Sequence, residues 1–134
     1  MRRYGYNIRG VGSQCYLEPN TEKSLARGMP LARINNPTRT VMFCDCAFPQ
    51  PYGNPKYLIE YSFAEAYFFL SGNPPTESGT ASPSIHFRHR HKCNVVWCDG
   101  HVSQESLTTR GPDAFTRFKV GWFGPPDNSL FDPN

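Results

Sequence analysis

Residues 89–101 read HRHKCNVVWCDGH, and the second half of this stretch predicts a β-hairpin. The run Asn94–Cys98 is rich in β-branched and aromatic side chains, which favour a strand. Asp99 and Gly100 follow it, and Asp-Gly after such a run is a strong hairpin signal, because a type I′ turn needs positive φ at both central positions. We therefore predict a strand over Asn94–Cys98, a two-residue turn at Asp99-Gly100 and a return strand over His101–Gln104.

Alternation of side chains along the predicted strand assigns its two faces. Val95 and Trp97 fall on one face, and Val96 and Cys98 fall on the other. Both faces are apolar, which is typical of a strand inside a sheet rather than at its edge. A two-residue turn also predicts that Cys98 and His101 lie directly opposite each other.

His89 precedes this hairpin and has no part in the turn. We interpret it as a latch that pins the segment before the strand to the hairpin by donating a hydrogen bond to Asp99. A histidine–carboxylate pair can join two loops in this way without any ligand. His89, Asp99 and Gly100 then form a structural motif, and His89→Ala is expected to lower stability without removing an activity.

The whole chain is predicted to form a single domain over residues 1–134, which is long enough for one modest core. Its 13 Pro and 11 Gly predict many turns and long loops. Thr38–Asp45 has the composition of a strand, Leu58–Leu70 suits either a helix or a strand, and residues 71–84 read as an exposed loop. The predicted fold class is α+β, mainly β, with a small antiparallel sheet.

Charge and length restrict the function classes. The net charge of +3 is too weak to indicate a nucleic-acid partner. A local basic run extends from His86 to Lys92, which suits either a solvated loop or a patch that faces phosphate or glycan. No apolar run approaches the ~18–20 residues of a membrane span, and no signal-peptide pattern opens the sequence.

The chain has five cysteines, so at most two disulfides can form within it. Cys44 and Cys46 flank a single residue and cannot easily bridge each other. We expect the cysteines to be buried as small apolar residues or to pair with distant cysteines. Whether Cys15 pairs with Cys44 or with Cys46 stays open.

Several stretches of the chain resemble one family. His89, nine intervening residues and then Asp99-Gly100 resemble the pattern that names the prepilin-type processing-associated H-X9-DG domain. Residues 94–102 (NVVWCDGHV) are similar to the family's sequence around that motif. Residues 4–7 (YGYN), 37–45 (PTRTVMFCD) and 121–128 (GWFGPPDN) also resemble stretches of its members. Together these segments extend over the length of the chain.

The resemblance implies the C-terminal globular domain of a pseudopilin-like protein, whose N-terminal pilin helix is absent from this chain. It implies a structural subunit of a pilus-like or type II secretion-like assembly rather than an enzyme, at the cell surface, in the periplasm or outside the cell. The implied partners are copies of itself or related pseudopilins, without nucleic acid. Membrane contact is implied only through the missing helix, and no cofactor is required.

A metal-binding module or metal-dependent enzyme is the alternative. His89, His91, Cys98, Asp99 and His101 offer imidazole, thiolate and carboxylate ligands, and Cys93 adds a second thiol. Their spacing matches no standard zinc motif. Calcium is a second possibility, with oxygens from Asp99, Asp45, Asp127 and Asp132, although nothing has the spacing of a calcium loop.

Two further expectations concern catalysis and the C-terminus. Ser84, His89 and Asp99 could form a hydrolytic triad on paper, but no nucleophile elbow supports it. The aromatic residues between Phe115 and Phe131 indicate a tail that packs back on the domain or docks on a neighbouring subunit.

Overall fold

The computed structural model describes residues 4–12, 27–50, 57–71 and 76–134. Strands dominate the described chain, with a 3₁₀ turn at Leu31–Arg33 and one short helix, α1, at Asp113–Arg117. The predicted α+β, mainly β class is confirmed at this level. The strands are β1 Tyr4–Asn7, β2 Val41–Asp45, β3 Ala47–Pro49, β4 Leu58–Glu60, β5 Phe63–Ala64, β6 Phe68–Ser71, β7 Thr76–Thr80, β8 Ile85–His86, β9 Lys92–Trp97, β10 Val102–Ser106, β11 Thr109–Arg110 and β12 Val120–Trp122.

The main sheet has five strands in the order β10-β9-β2-β1-β5. Its pairs are antiparallel except β1 and β5, which run parallel. As predicted, β9 lies inside the sheet, between β10 and β2. A three-stranded sheet (β11-β12-β8) and two hairpins (β3-β4 and β6-β7) complete the described fold.

The core lies against one face of the main sheet, which we call the inner face. Cys93, Val95 and Trp97 of β9 point to it, and each is at most 7% exposed. The predicted placement of Val95 and Trp97 on one face is confirmed, and the structure adds that this face is the one that covers the core. Full burial of an apolar side chain such as that of Val95 contributes roughly 1.5–3 kcal/mol to the free energy of folding. The inner face therefore supplies most of the stability of the sheet. Residues that pack with it include Val41, Cys44, Ile85, Phe87, Trp122, Phe123 and Phe131.

The turn of the β9–β10 hairpin is one residue longer than predicted. Val96 pairs with Val102, and Trp97 N–H donates to the carbonyl of His101, so three residues form the loop. Gly100 alone of the three has positive φ, at 92°. That pattern fits a three-residue loop with its last residue left-handed, not a type I′ turn. His101 consequently lies opposite Trp97 rather than Cys98, and the two rings stack with centroids 5.6 Å apart.

The geometry predicted for Asp99-Gly100 occurs instead at Arg90-His91. Both of these residues have positive φ, at 53° and 66°. On either side of them, His89 N–H donates to the carbonyl of Lys92, and Lys92 N–H donates to the carbonyl of His89. Positive φ at both central positions of a two-residue loop is the pattern of a type I′ turn. We call residues 89–92 the basic turn.

Gly5 and Asn7, in the segment 4–7, each have a structural role. A Cβ on Gly5 would lie 2.5 Å from the Sγ of Cys46, so only glycine fits this close approach. The amide of Asn7, fully buried, donates to the carbonyls of Val41 and Phe131 at 2.9 and 2.8 Å. Asn7 thereby joins β1 to β2 and to the C-terminal tail.

The structure also decides the expectations for residues 58–84 and for the C-terminal tail. Leu58–Leu70 forms strands, not a helix, and part of the predicted loop 71–84 is strand β7, which is exposed as expected. The tail packs back on the domain, with Phe123 and Phe131 each 2% exposed. Cys15, a candidate partner of Cys44 or Cys46, lies outside the described residues.

Candidate functional site

Asp45 ends β2 and lies at the centre of a buried polar cluster. Its side chain is 1% exposed, which is rare for a carboxylate unless it is paired. Oδ2 accepts a hydrogen bond of 2.8 Å from the backbone N–H of Asn94 in β9. The two neighbouring cationic or ionisable side chains, Arg88 and His89, come from the segment that leads into β9. Asp45 therefore ties β2 to the start of β9.

Arg88 compensates the buried charge of Asp45. Its Nε lies 3.7 Å from Oδ1 of Asp45, and its Nη1 lies 3.6 Å from Oε1 of Glu60 in β4. Its Nη2 donates a hydrogen bond of 2.8 Å to the carbonyl of Cys46. Removing one partner of such a buried pair is strongly destabilising, because it leaves the other charge desolvated. Arg88 is thus anchored from three sides.

His89 contacts Asp45 and not Asp99. Its Nε2 lies 3.1 Å from Oδ2 of Asp45, without the alignment of a hydrogen bond, and its side chain is 26% exposed. His89 lies beside Lys92 at one end of β9, whereas Asp99 follows Trp97 at the other end. Those ends are roughly 16 Å apart along the strand. The predicted His89–Asp99 hydrogen bond is therefore wrong, although His89 still pins the segment before β9 to the sheet.

Asp99 has a local role within its own turn. Its Oδ1 accepts hydrogen bonds from the backbone N–H of His101 at 3.1 Å and contacts Nδ1 of the same residue at 2.6 Å. These interactions, the backbone N–H first, hold the pKa of Asp99 below its usual range. Asp99 and Gly100 thus serve the hairpin turn, and Asp99 has no contact with His89.

The residues predicted to bind zinc are not brought together. His89 and His91 belong to the basic turn, whereas Cys98, Asp99 and His101 lie at the far end of β9. Burial raises the pKa of Cys98 to about 11, so this thiol stays protonated in the metal-free chain at neutral pH. Across the described ranges, no group of three or more His, Cys, Asp or Glu side chains has the geometry to hold a metal ion.

The calcium and triad hypotheses find no assembled site either. Asp132 pairs with Arg9 at 2.9 Å, and Asp127 accepts hydrogen bonds from Ser129, so these carboxylates have internal partners at separate places. Ser84 is fully buried and its Oγ donates to the carbonyl of Phe63. No hydrogen bond between described residues joins Ser84 to His89 or to Asp99.

Three of the cysteines cluster in the core beneath the main sheet. Cys44 and Cys46 have sulfur atoms 3.6 Å apart, and both are fully buried, as is Cys93. The thiol contact with Cys46 and then burial raise the pKa of Cys44 well above its usual range. The described cysteines, Cys98 included, are free thiols. This agrees with the expectation that they serve as small buried residues.

The opposite face of the main sheet, the outer face, carries a feature that the sequence reasoning missed. Side chains in register across all five strands are apolar on this face, and we call them the outer row. Val102 is 64% exposed and Phe43 is 39% exposed. Only the strand order brings these residues into line, so no local pattern could have revealed the row. Its members are Val102, Val96, Phe43, Tyr6 and Phe63.

A second surface feature surrounds the basic turn. An open depression of about 650 Å³ is lined by four basic or ionisable residues and one amide. No carboxylate is among the lining residues that the structure describes. We call it the basic depression, and it is formed by Arg88, His89, Arg90, Lys92 and Gln104.

Comparison with known proteins identifies no relative. No family model, no curated protein and no solved structure matches this chain. In the residues that the structure describes, no helix is long and apolar enough to cross a membrane.

Proposed function

We propose that this chain is a structural subunit of a pilus-like or type II secretion pseudopilus-like assembly outside the cytoplasm. It associates there with copies of itself or with related pseudopilins through its globular domain, and it performs no catalysis. The observation that supports this proposal best is the outer row, since it gives the sheet an apolar surface that its own chain leaves partly exposed.

The outer row is unusual for an antiparallel sheet at a surface. Such sheets normally present polar side chains on the face that does not cover the core. Here the edge strand β10 has Val102 in the row, and β2 in the middle of the sheet has Phe43. Contiguous exposed apolar surface marks sites of protein association. The row therefore favours a subunit over a monomeric protein that acts alone.

The dimensions of the outer row suit a helical partner. It crosses five strands, which are spaced about 4.8 Å apart, so it is about 19 Å long. A helix of about 13 residues has that length. The row is widened beside β1 and β2 by an apolar groove of about 240 Å³, to which Met29, Leu31 and Ile34 contribute. An apolar helix of the assembly would bury both features.

Charge placed in the outer row tests the proposal. Val102→Lys and Phe43→Lys replace exposed side chains of the row, so both variants are expected to fold, as circular dichroism and melting temperature would verify. Sedimentation at increasing concentration up to the millimolar range should show self-association of the wild type and its loss in both variants. Gln104→Lys is the matched control, since Gln104 is exposed on the same strand and the same face but outside the row.

Two results would overturn the proposal. One is a wild-type chain that stays monomeric at millimolar concentration and that a synthetic apolar helix does not bind. The other is association that persists unchanged in both lysine variants of the outer row.

A further inference from the structure

The basic depression carries positive charge that the fold leaves uncompensated. Arg88 is paired with Asp45 and Glu60, but Arg90 and Lys92 form no ion pair with any residue that the structure describes. Both of these side chains belong to exposed residues. Two cations, Arg90 and Lys92, thus line one concave surface without an internal counter-charge, beside the ring of His89, which contacts Asp45.

The basic turn holds Arg90, one of these two cations, in a strained backbone. Arg90 and His91 both have positive φ, a conformation that costs an L-residue with a Cβ roughly 1–2 kcal/mol. Glycine or asparagine would form the same turn at lower cost. Strain of this kind persists where the surrounding structure enforces it, and it is concentrated at binding sites. Arg90 therefore occupies a position where the turn itself favours glycine or asparagine.

The depression is also held in place before any ligand arrives. The two backbone hydrogen bonds between His89 and Lys92 close the basic turn. Arg88 is anchored on the carbonyl of Cys46, and the amide of Gln104 donates to Asn94 at 3.1 Å. Binding therefore has to order only the exposed side chains of Arg90 and Lys92, because the backbone, Arg88 and Gln104 are already held.

We propose that the basic depression binds a phosphate or sulfate ester carried on a sugar-sized molecule. The planar guanidinium of Arg90 matches the oxygens of such an ester, and Lys92 adds a second positive charge. The volume of about 650 Å³ lies in the range of small organic ligands and far exceeds that of one inorganic anion. The amide of Gln104 supplies a polar group for hydroxyls of the carrier. This binding is independent of the assembly proposed above, since the outer row excludes these residues.

Calorimetric titration with four probes tests the site and separates its sources of affinity. Glucose 6-phosphate and glucose 6-sulfate should both bind, inorganic phosphate should bind more weakly, and glucose should show no binding. The affinity should fall as salt rises, because the interaction is between charges near the surface. If glucose 6-phosphate binds no better than glucose, the proposal is wrong. If inorganic phosphate binds as tightly as both esters, the sugar-sized carrier has no part in the site and the proposal fails in that respect.

Variants assign the binding to the basic depression. Arg90→Gln combined with Lys92→Gln removes both uncompensated charges and should weaken ester binding by about tenfold or more. Gln104→Glu places a carboxylate in the depression without altering the strained turn, and it should weaken binding as well. Arg39→Gln is the control, because Arg39 is exposed and precedes β2 at the opposite end of the sheet. Unchanged affinity in both the double variant and Gln104→Glu, with melting temperatures near that of the wild type, would refute the assignment.

Discussion

The Nε2 of His89 lies 3.1 Å from the Oδ2 of Asp45, so the histidine of the H-X9-DG pattern contacts the end of β2. The aspartate and glycine of the same pattern form a turn at the opposite end of β9. The pattern therefore joins two separate structural devices, one at each end of a single strand. The spacing between them reflects the length of that strand rather than a contact between its ends.

Two double-mutant cycles should show that His89 is coupled energetically to Asp45 and not to Asp99. We expect His89→Ala and Asp45→Asn to couple by about 0.5–3 kcal/mol in the free energy of unfolding, because the two side chains are in contact. His89→Ala and Asp99→Asn should be additive within about 0.5 kcal/mol, since distant sites act independently. Urea denaturation of the wild type and of the five variants, three single and two double, measures both values. Stronger coupling to Asp99 than to Asp45 would contradict the geometry.

Loss of Asp45 should be among the most destabilising single changes in the chain. Asp45→Ala leaves Arg88 without its buried partner and the N–H of Asn94 without an acceptor, at an expected cost of about 3–5 kcal/mol. Asp45→Asn keeps an acceptor for Asn94 and should cost less. Asp113→Ala, at an exposed position, serves as the control and should change the unfolding free energy by about 0.5 kcal/mol or less. Equal stability of the two alanine variants would refute the buried cluster.

Replacing Gly100 should lower the stability of the protein through backbone strain alone. Its φ is 92°, and a Cβ at this position would meet no atom within 4 Å. Gly100→Ala is therefore expected to cost about 1–2 kcal/mol through backbone strain. Gly100→Asn should cost less, since asparagine tolerates positive φ better. Chemical denaturation of the two variants checks this order, and a smaller cost for alanine than for asparagine would rule out strain as the cause.

His86 should make the fold sensitive to acid. Burial, followed by the nearby charge of Arg88, lowers the pKa of His86 from 6.5 to about 4. His86 takes up a proton near pH 6.5 in the unfolded chain and only near pH 4 in the folded chain. The resulting stabilisation is present above pH 6.5 and is lost as the pH falls from 6.5 to about 4. Partial exposure of the ring limits the loss to about 1–2 kcal/mol.

The comparison of His86→Gln with wild type isolates this effect. The difference between their unfolding free energies should change across pH 4 to 6.5. Parallel profiles for wild type and His86→Gln would show that this histidine does not govern the acid response.

The buried thiols should react slowly with alkylating reagents. Burial raises the pKa of Cys93 and that of Cys98, and the contact with Cys46 raises the pKa of Cys44. On a Cys15→Ser background, we expect little labelling of the native protein at pH 8 and complete labelling in guanidinium. An added exposed thiol, Ser106→Cys, gives the reference rate. Labelling of Cys98 at that rate in the native state would exclude its burial.

Local sequence patterns were good predictors of individual elements. The alternation from Asn94 to Cys98 predicted a strand and divided its side chains between two faces, because side-chain direction along a strand depends only on position. The Asp-Gly pair predicted a reversal, but that pair is compatible with more than one loop. The pairing of Val96 with Val102 selected the three-residue form. For Leu58–Leu70 the residue types suited two structures, and pairing with β1, β3 and β7 decided for strands.

By itself, the sequence determined that the chain is mainly β, that a reversal follows Cys98 and that Val95 and Trp97 share one face of a strand. These properties arise from backbone preferences and apolar alternation among close neighbours in the chain. Only the tertiary structure decided that His89 meets Asp45, that the outer row lines up across five strands, and that Arg90 and Lys92 share one depression. The reason is physical: register and partners follow from packing between distant segments, which local preferences do not specify.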